Sequence, residues 1–107
     1  MSRFVSLCGV FGLFNLLISA NPAYAGGDAV AGKKKALQCQ TCHGMDGLSK
    51  LPEAPNLAAQ VEVYLVKALG DYKTGARKND MMSVVAPALK DDDIADLAAY
   101  FAQLPPQ

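Results

Sequence analysis

The sequence predicts an all-α domain in which three longer helices are joined by loops. Alternating apolar and polar residues, the pattern of a half-buried strand, do not occur in residues 26–107. Ala, Leu, Lys and Asp dominate there, and these residues favour helices or helix ends. The whole chain has 107 residues, enough for one small domain. Because a domain this small seldom obtains enough stability from its own core, the sequence also favours a bound cofactor.

Residues 1–25 have the features of a secretory signal peptide. Arg3 supplies a positive charge, an apolar run covers residues 4–20, and small residues stand at Ala23 and Ala25, where signal peptidase reads the chain. An uncleaved membrane anchor is the alternative, but the apolar run is shorter than the roughly 20 residues that span a bilayer. We therefore expect cleavage after Ala25, export to the periplasm and no membrane attachment afterwards.

The expected mature domain, residues 26–107, is nearly neutral. It has nine Lys and Arg side chains against ten Asp and Glu side chains. Nucleic-acid binding needs a marked basic excess, so this balance argues against it. The domain keeps two cysteines, Cys39 and Cys42, and a disulfide across so short a gap would constrain the unfolded chain little.

The first predicted helix begins after Asp28, a capping residue, and extends to about Gln38. The lysines at 33–35 lie in its C-terminal half, where positive charge suits the helix dipole. Residues 44–58 are predicted to form a loop because they contain four turn-forming residues. These are Gly44, Gly47, Pro52 and Pro55.

A second helix is predicted over residues 58–72, with Gly70 or Gly75 near its end. Its apolar face comprises Val61, Leu65 and Leu69. A polar connector at 75–80 and an apolar stretch at 81–89 follow.

The last predicted helix begins with the three aspartates at 91–93, whose negative charge suits a helix N-terminus. Pro105 and Pro106 end it. Between them, apolar residues recur at helical spacing. They are Ile94, Leu97, Ala98 and Phe101.

Cys39, Cys42 and His43 form the pattern C-x-x-C-H. Two thiols three residues apart on one helical turn project from the same face, so both can add to the vinyl groups of one haem. A structural zinc site needs four ligands. A thioredoxin-type dithiol follows a strand, whereas this motif ends a helix in a chain without predicted strands. The motif therefore predicts one covalently bound haem c, with His43 as a ligand of its iron.

The candidates for the sixth iron ligand can be reduced by elimination. His43 is the only histidine, so a second imidazole from this chain is excluded. Met45 lies too near His43 in sequence to reach the other face of the haem. Met81 and Met82 remain, and the thioether of either suits reduced iron.

The sequence resembles the class I c-type cytochromes, especially the small bacterial group with C-x-x-C-H-G near the N-terminus. The resemblance covers residues 26–104. It includes the segments 39–44, 54–57, 77–82 and 94–101 together with Leu89. It implies the cytochrome c fold, in which three longer helices and their loops surround one haem.

The resemblance also implies roles for individual residues. In the family, the backbone carbonyl at the Pro55 position accepts a hydrogen bond from the haem histidine, and the leucine at the Leu57 position packs on the haem. Gly32 matches the glycine that allows the last helix to cross closely, near an aromatic residue that is Tyr100 here. The spacing from Met82 to Leu89 matches the family motif of the sixth ligand. The resemblance thus favours Met82 over Met81.

The expected function is that of a periplasmic one-electron carrier and not of an enzyme, with redox proteins as electron donor and acceptor. The alternative is the cytochrome subunit of a periplasmic dehydrogenase, for example of the flavocytochrome-type sulfide dehydrogenases. There it would accept electrons from the catalytic chain. A third option is a gas sensor or a peroxidase with a vacant or labile sixth position. The presence of methionines at 81 and 82 argues against it.

Overall fold

A computed structural model describes residues 26–107. The predicted signal peptide, residues 1–25, lies outside the described residues. Every regular element in the described part is helical, which confirms the all-α prediction. The α-helices are α1 (Ala29–Lys35), α2 (Gln40–His43), α3 (Glu62–Thr74), α4 (Met82–Val85) and α5 (Asp91–Gln103). Two 3₁₀ turns, Ala36–Gln38 and Ala86–Ala88, follow α1 and α4.

The first helix begins where the sequence predicts. The Asp28 carboxylate accepts hydrogen bonds from the N–H groups of Val30 at 2.8 Å and Ala31 at 3.3 Å, and so caps α1. The C-x-x-C-H motif differs slightly from expectation. It forms the separate short helix α2, with Cys39 as its N-cap, rather than the end of the first helix.

The second long helix begins later than predicted, at Glu62 instead of residue 58. Ala59 has a positive φ of 59°, and its N–H donates to the carbonyl of Phe101 at 3.1 Å, so the chain is still turning there. Val61 is the N-cap and is 64% exposed, so its predicted place on the apolar face of the helix is wrong. Leu65 is buried as predicted, and α3 ends at Gly75 in the left-handed region.

Helix α5 lies at the centre of the core, and its predicted apolar residues are all buried. It crosses α1 at Gly32, where a Cβ would stand 2.0 Å from the Asp96 carbonyl oxygen and 2.8 Å from Tyr100 Cβ. Only glycine allows so close a crossing. Lys35 spans the same crossing, 2.9 Å from a carboxylate oxygen of Asp93 and 2.6 Å from one of Asp96.

Among residues 26–107, no helix is long and apolar enough to cross a membrane.

Candidate haem site

The elements surround one large cavity of about 1160 Å³. All six residues that the sequence analysis placed at the site line it. They are Cys39, Cys42, His43, Pro55, Leu57 and Met82. Much of the remaining wall is apolar and comes from α3, from the last residue of α4 with the segment after it, and from α5. These residues are Leu65, Leu69, Val85, Leu89, Leu97 and Phe101.

The two thiols of the motif are neighbours on this wall, and both are free and half-buried. Burial, together with repulsion from Cys42, raises the pKa of the Cys39 thiol to about 11. A thiol that keeps its proton is a poor nucleophile in disulfide exchange. The pair is therefore ill suited to thioredoxin-type chemistry.

His43 is the one buried polar side chain of the described core, with 7% of its surface exposed. Its Nδ1 lies 2.9 Å from the carbonyl oxygen of Pro55. Because a carbonyl can only accept, Nδ1 carries the proton and donates it. In the neutral imidazole, this bond leaves the lone pair on the second ring nitrogen, Nε2, which is the form that binds a metal.

The loop that carries Pro55 and Leu57 is fixed by backbone hydrogen bonds. The Gly47 carbonyl accepts from the N–H groups of Leu57 at 2.8 Å and of residue 58 at 3.0 Å. The Asn56 side chain accepts from the Ser49 N–H at 2.7 Å. These bonds place the Pro55 carbonyl beside His43 without the help of a regular element.

The methionines differ in position. Met81 is 62% exposed, whereas Met82 is half-buried, although both touch the cavity. The Asn79 side-chain oxygen accepts from the N–H groups of Met81 and Met82, each at 3.0 Å, and the Asn79 N–H donates to the Ser83 hydroxyl at 3.0 Å. These bonds from Asn79 therefore fix the backbone at the start of α4, whose N-cap is Met81, and with it the segment that carries both methionines. Met45 does not line the cavity.

Sequence analysis missed Arg77 as a site residue. Its guanidinium lies 4.8 Å from the centre of the Tyr72 ring and donates to the Tyr64 hydroxyl at 3.4 Å, and all three residues line the cavity. The hydrogen bond with Tyr64 raises the pKa of Arg77. No Asp or Glu among residues 26–107 forms a salt bridge with it. The inclusion of Arg77 in the resembling segment 77–82 was the only sequence signal for this role.

These features fit a haem. The cavity offers an apolar wall for the macrocycle, two thiols for the vinyl groups, and an imidazole and a thioether for the iron. The guanidinium of Arg77 complements the two carboxylates that a haem carries. A bare metal site fits less well, because no group of three His, Cys, Asp or Glu that could hold an ion occurs in residues 26–107.

Comparisons with known proteins agree with this geometry. The profile of the cytochrome c family matches residues 29–105. Cytochrome c4 of Pseudomonas aeruginosa is 47% identical over 98 residues, which are 92% of this chain and 46% of that protein. Cytochrome c-554(548) of Halomonas halodenitrificans is 43% identical over 79 residues, 71% of this chain and 95% of that protein. The crystal structure of reduced recombinant cytochrome c4 from Pseudomonas stutzeri superposes with a TM-score of 0.70 at 42% identity, covering 74% of this chain and 46% of that one.

The chain is thus a small bacterial c-type cytochrome with the all-α cytochrome c fold. It belongs to the cytochrome c family. That family holds haem c covalently, and Cys39 and Cys42 stand in its C-x-x-C-H motif. The chain spans less than half the length of the cytochrome c4 relatives that it matches.

Proposed function

We propose that this protein is a periplasmic one-electron carrier that holds one haem c, with His43 and Met82 as the axial ligands of the iron. The observation that carries the proposal is the convergence of the two thiols, the oriented imidazole and the half-buried thioether on one apolar cavity. When bound, the haem supplies an iron that alternates between Fe(III) and Fe(II).

His43 is the proximal ligand in this proposal. The hydrogen bond from Nδ1 to the Pro55 carbonyl fixes the ring orientation and directs Nε2 to the metal. Such a bond also increases the basicity of the ligating nitrogen. Burial of the imidazole keeps water from competing for the same position.

Met82 is proposed as the distal ligand because it is the less exposed of the two candidates. Met81 precedes α4 and directs most of its surface to solvent. With both His43 and Met82 holding the iron, no coordination position would be left for a substrate. This arrangement suits electron transfer and not oxygen or peroxide chemistry, and a thioether ligand favours a raised reduction potential.

The surroundings of the cavity support the same role. Leu57, Leu65 and Phe101 keep its wall apolar, which also favours the reduced, less charged iron. Arg77 is proposed to pair with a haem carboxylate, with Tyr64 and Tyr72 fixing the guanidinium. The attachment through Cys39 and Cys42 prevents loss of the cofactor.

The proposed periplasmic location rests on the signal-peptide features of residues 1–25. There the mature domain would exchange electrons with soluble or membrane-bound redox proteins. Its near-neutral charge gives no reason to expect nucleic acid as a partner. The comparisons do not favour the alternative, a dehydrogenase subunit, over a carrier.

The proposal is tested by expressing the full chain in a bacterium that has the cytochrome c maturation machinery. We expect mass spectrometry of the exported protein to show residues 26–107 plus one haem. After extraction with acidified acetone, the colour should stay with the protein, and a redox titration should follow a single one-electron wave. Cys39→Ala and Cys42→Ala should each weaken attachment. Colour in the organic phase of the unmodified protein, or a second wave, would contradict the proposal.

A further inference from the structure

Glu62, the first residue of α3, has an unusual carboxylate. Its Oε1 atom is buried and has no hydrogen-bond partner, and no other side-chain oxygen or nitrogen in residues 26–107 shares this condition. None of the lysines or arginines in that range forms a salt bridge with it. A buried polar atom without a partner is costly, so such an atom calls for an explanation.

Gly26 lies beside this carboxylate. A Cβ placed on Gly26 would stand 2.8 Å from Glu62 Oε1 and 3.7 Å from Oε2. Glycine carries hydrogen there instead, and its Cα–N bond is nearly as long as a Cα–Cβ bond. If Gly26 were the first residue, rotation about its Cα–C bond would therefore bring the amino nitrogen to almost the same point. A separation of 2.8 Å is the usual length of a hydrogen bond between an ammonium and a carboxylate.

We propose that Glu62 is the binding site for the α-ammonium group that signal-peptide cleavage creates at Gly26. The inference rests on cleavage between Ala25 and Gly26. Hydrolysis of that bond adds one water, leaving a carboxylate on Ala25 and, at neutral pH, an ammonium group on Gly26. Before cleavage, the same nitrogen is an uncharged amide bonded to Ala25 and cannot make this rotation without moving the preceding chain. The ion pair is thus specific to the processed protein.

The other charged groups near the N-terminus are already engaged. On the α1 side, Asp28 caps the helix. On the α5 side, Asp96 accepts from the Asp28 N–H at 2.8 Å and from Lys35, which also contacts Asp93. These bonds leave Glu62 as the carboxylate available to the new amine. Cleavage would then fasten the N-terminus to the start of α3, the helix that supplies Tyr64 and Leu65 to the haem cavity.

The test uses the exported holoprotein in its reduced form, and mass spectrometry first establishes its N-terminus. NMR then follows the Gly26 Cα resonance from pH 6 to 11. We expect the pKa of the α-amino group to exceed its ordinary value of about 7.7–8.0 by about one unit, because the carboxylate favours the charged form. Glu62→Gln should return that pKa to its ordinary range. The matched control, Glu53→Gln, removes an exposed loop carboxylate and should leave the pKa raised.

The pH dependence of the protein's stability gives a second test, because the proposal fixes the direction in which stability changes with pH. Because the amine's pKa is raised on folding, its contribution is complete below its ordinary pKa and is lost as pH rises through the raised value. A variant with one serine inserted between Ala25 and Gly26 provides the comparison. The difference between its thermal midpoint and that of the unmodified protein should shrink as pH rises from the ordinary pKa through the raised one. An ordinary pKa in the unmodified protein, a raised one in Glu62→Gln, or a mature chain that begins elsewhere would each overturn the proposal.

Discussion

Asn79 offers a sharp test of how the chain holds its proposed distal ligand. Its side-chain oxygen accepts two backbone N–H groups, those of Met81 and Met82, each at 3.0 Å. Asn79→Ala removes both bonds at the start of α4. The loss of comparable bonds from a side chain to the backbone at a helix start costs about 1 kcal/mol, with a range of roughly 0.5–2. We therefore expect the population with Met82 released from the iron to rise about fivefold, since 1.4 kcal/mol corresponds to a factor of about ten.

The assay is the near-infrared sulfur-to-iron charge-transfer band of the oxidised protein, followed during heating and compared with unfolding by circular dichroism. In Asn79→Ala the band should disappear at a lower temperature, with a smaller change in the unfolding midpoint. The control is Asp46→Ala, which removes a similar bond, to the Leu48 N–H at 3.0 Å, in the loop after the C-x-x-C-H motif. If both variants lose the band at the same temperature, or neither differs from the unmodified protein, Asn79 does not position Met82.

Two further predictions concern the framework of the site. Gly32→Ala should destabilise the protein by about 2 kcal/mol or more in denaturant unfolding, because the new Cβ would meet the backbone of α5 at 2.0 Å. Gly70→Ala, whose Cβ would meet nothing within 4 Å, should instead stabilise α3 by about 0.5–1 kcal/mol, and equal effects would contradict the crossing geometry. Lys35 lowers the pKa of Asp96, so Asp96 contributes stability above about pH 4 that is lost as pH falls through its lower native pKa. The difference in thermal midpoint caused by Asp96→Asn should therefore be full at pH 7 and vanish in acid, whereas Asp91→Asn, at a fully solvated position, should change little at any pH.

The helices with strong local signals could be predicted from sequence. In α1 and α5 an acidic start coincides with helix-forming residues, so local preference and tertiary packing agree. The start of α3 could not be predicted, because Ala58 and Ala59 favour a helix locally. The contact of Ala59 with the Phe101 carbonyl overrides that preference and holds Ala59 at a positive φ, which a sequence pattern does not reveal.

The residues of the candidate site also fall into two groups, those that the sequence predicts and those that depend on tertiary packing. The C-x-x-C-H motif is contiguous, so Cys39, Cys42 and His43 could be named from spacing alone. The exposure that separates Met82 from Met81 depends on how α4 packs against its neighbours, and spacing could only suggest it. Arg77 was missed because its contacts with Tyr64 and Tyr72 on α3 exist only in the folded chain.

The central claim, electron transfer through a haem held by His43 and Met82, is tested most directly by the charge-transfer band in two single variants of the holoprotein. The account predicts that Met82→Ala abolishes the band, lowers the reduction potential and lets cyanide bind the oxidised iron. The adjacent control, Met81→Ala, should keep the band and change the potential little. Loss of the band in Met81→Ala alone would make Met81 the ligand. Persistence of the band in both variants, or its absence from the unmodified protein, would contradict ligation by Met82 and with it the proposed closed iron site.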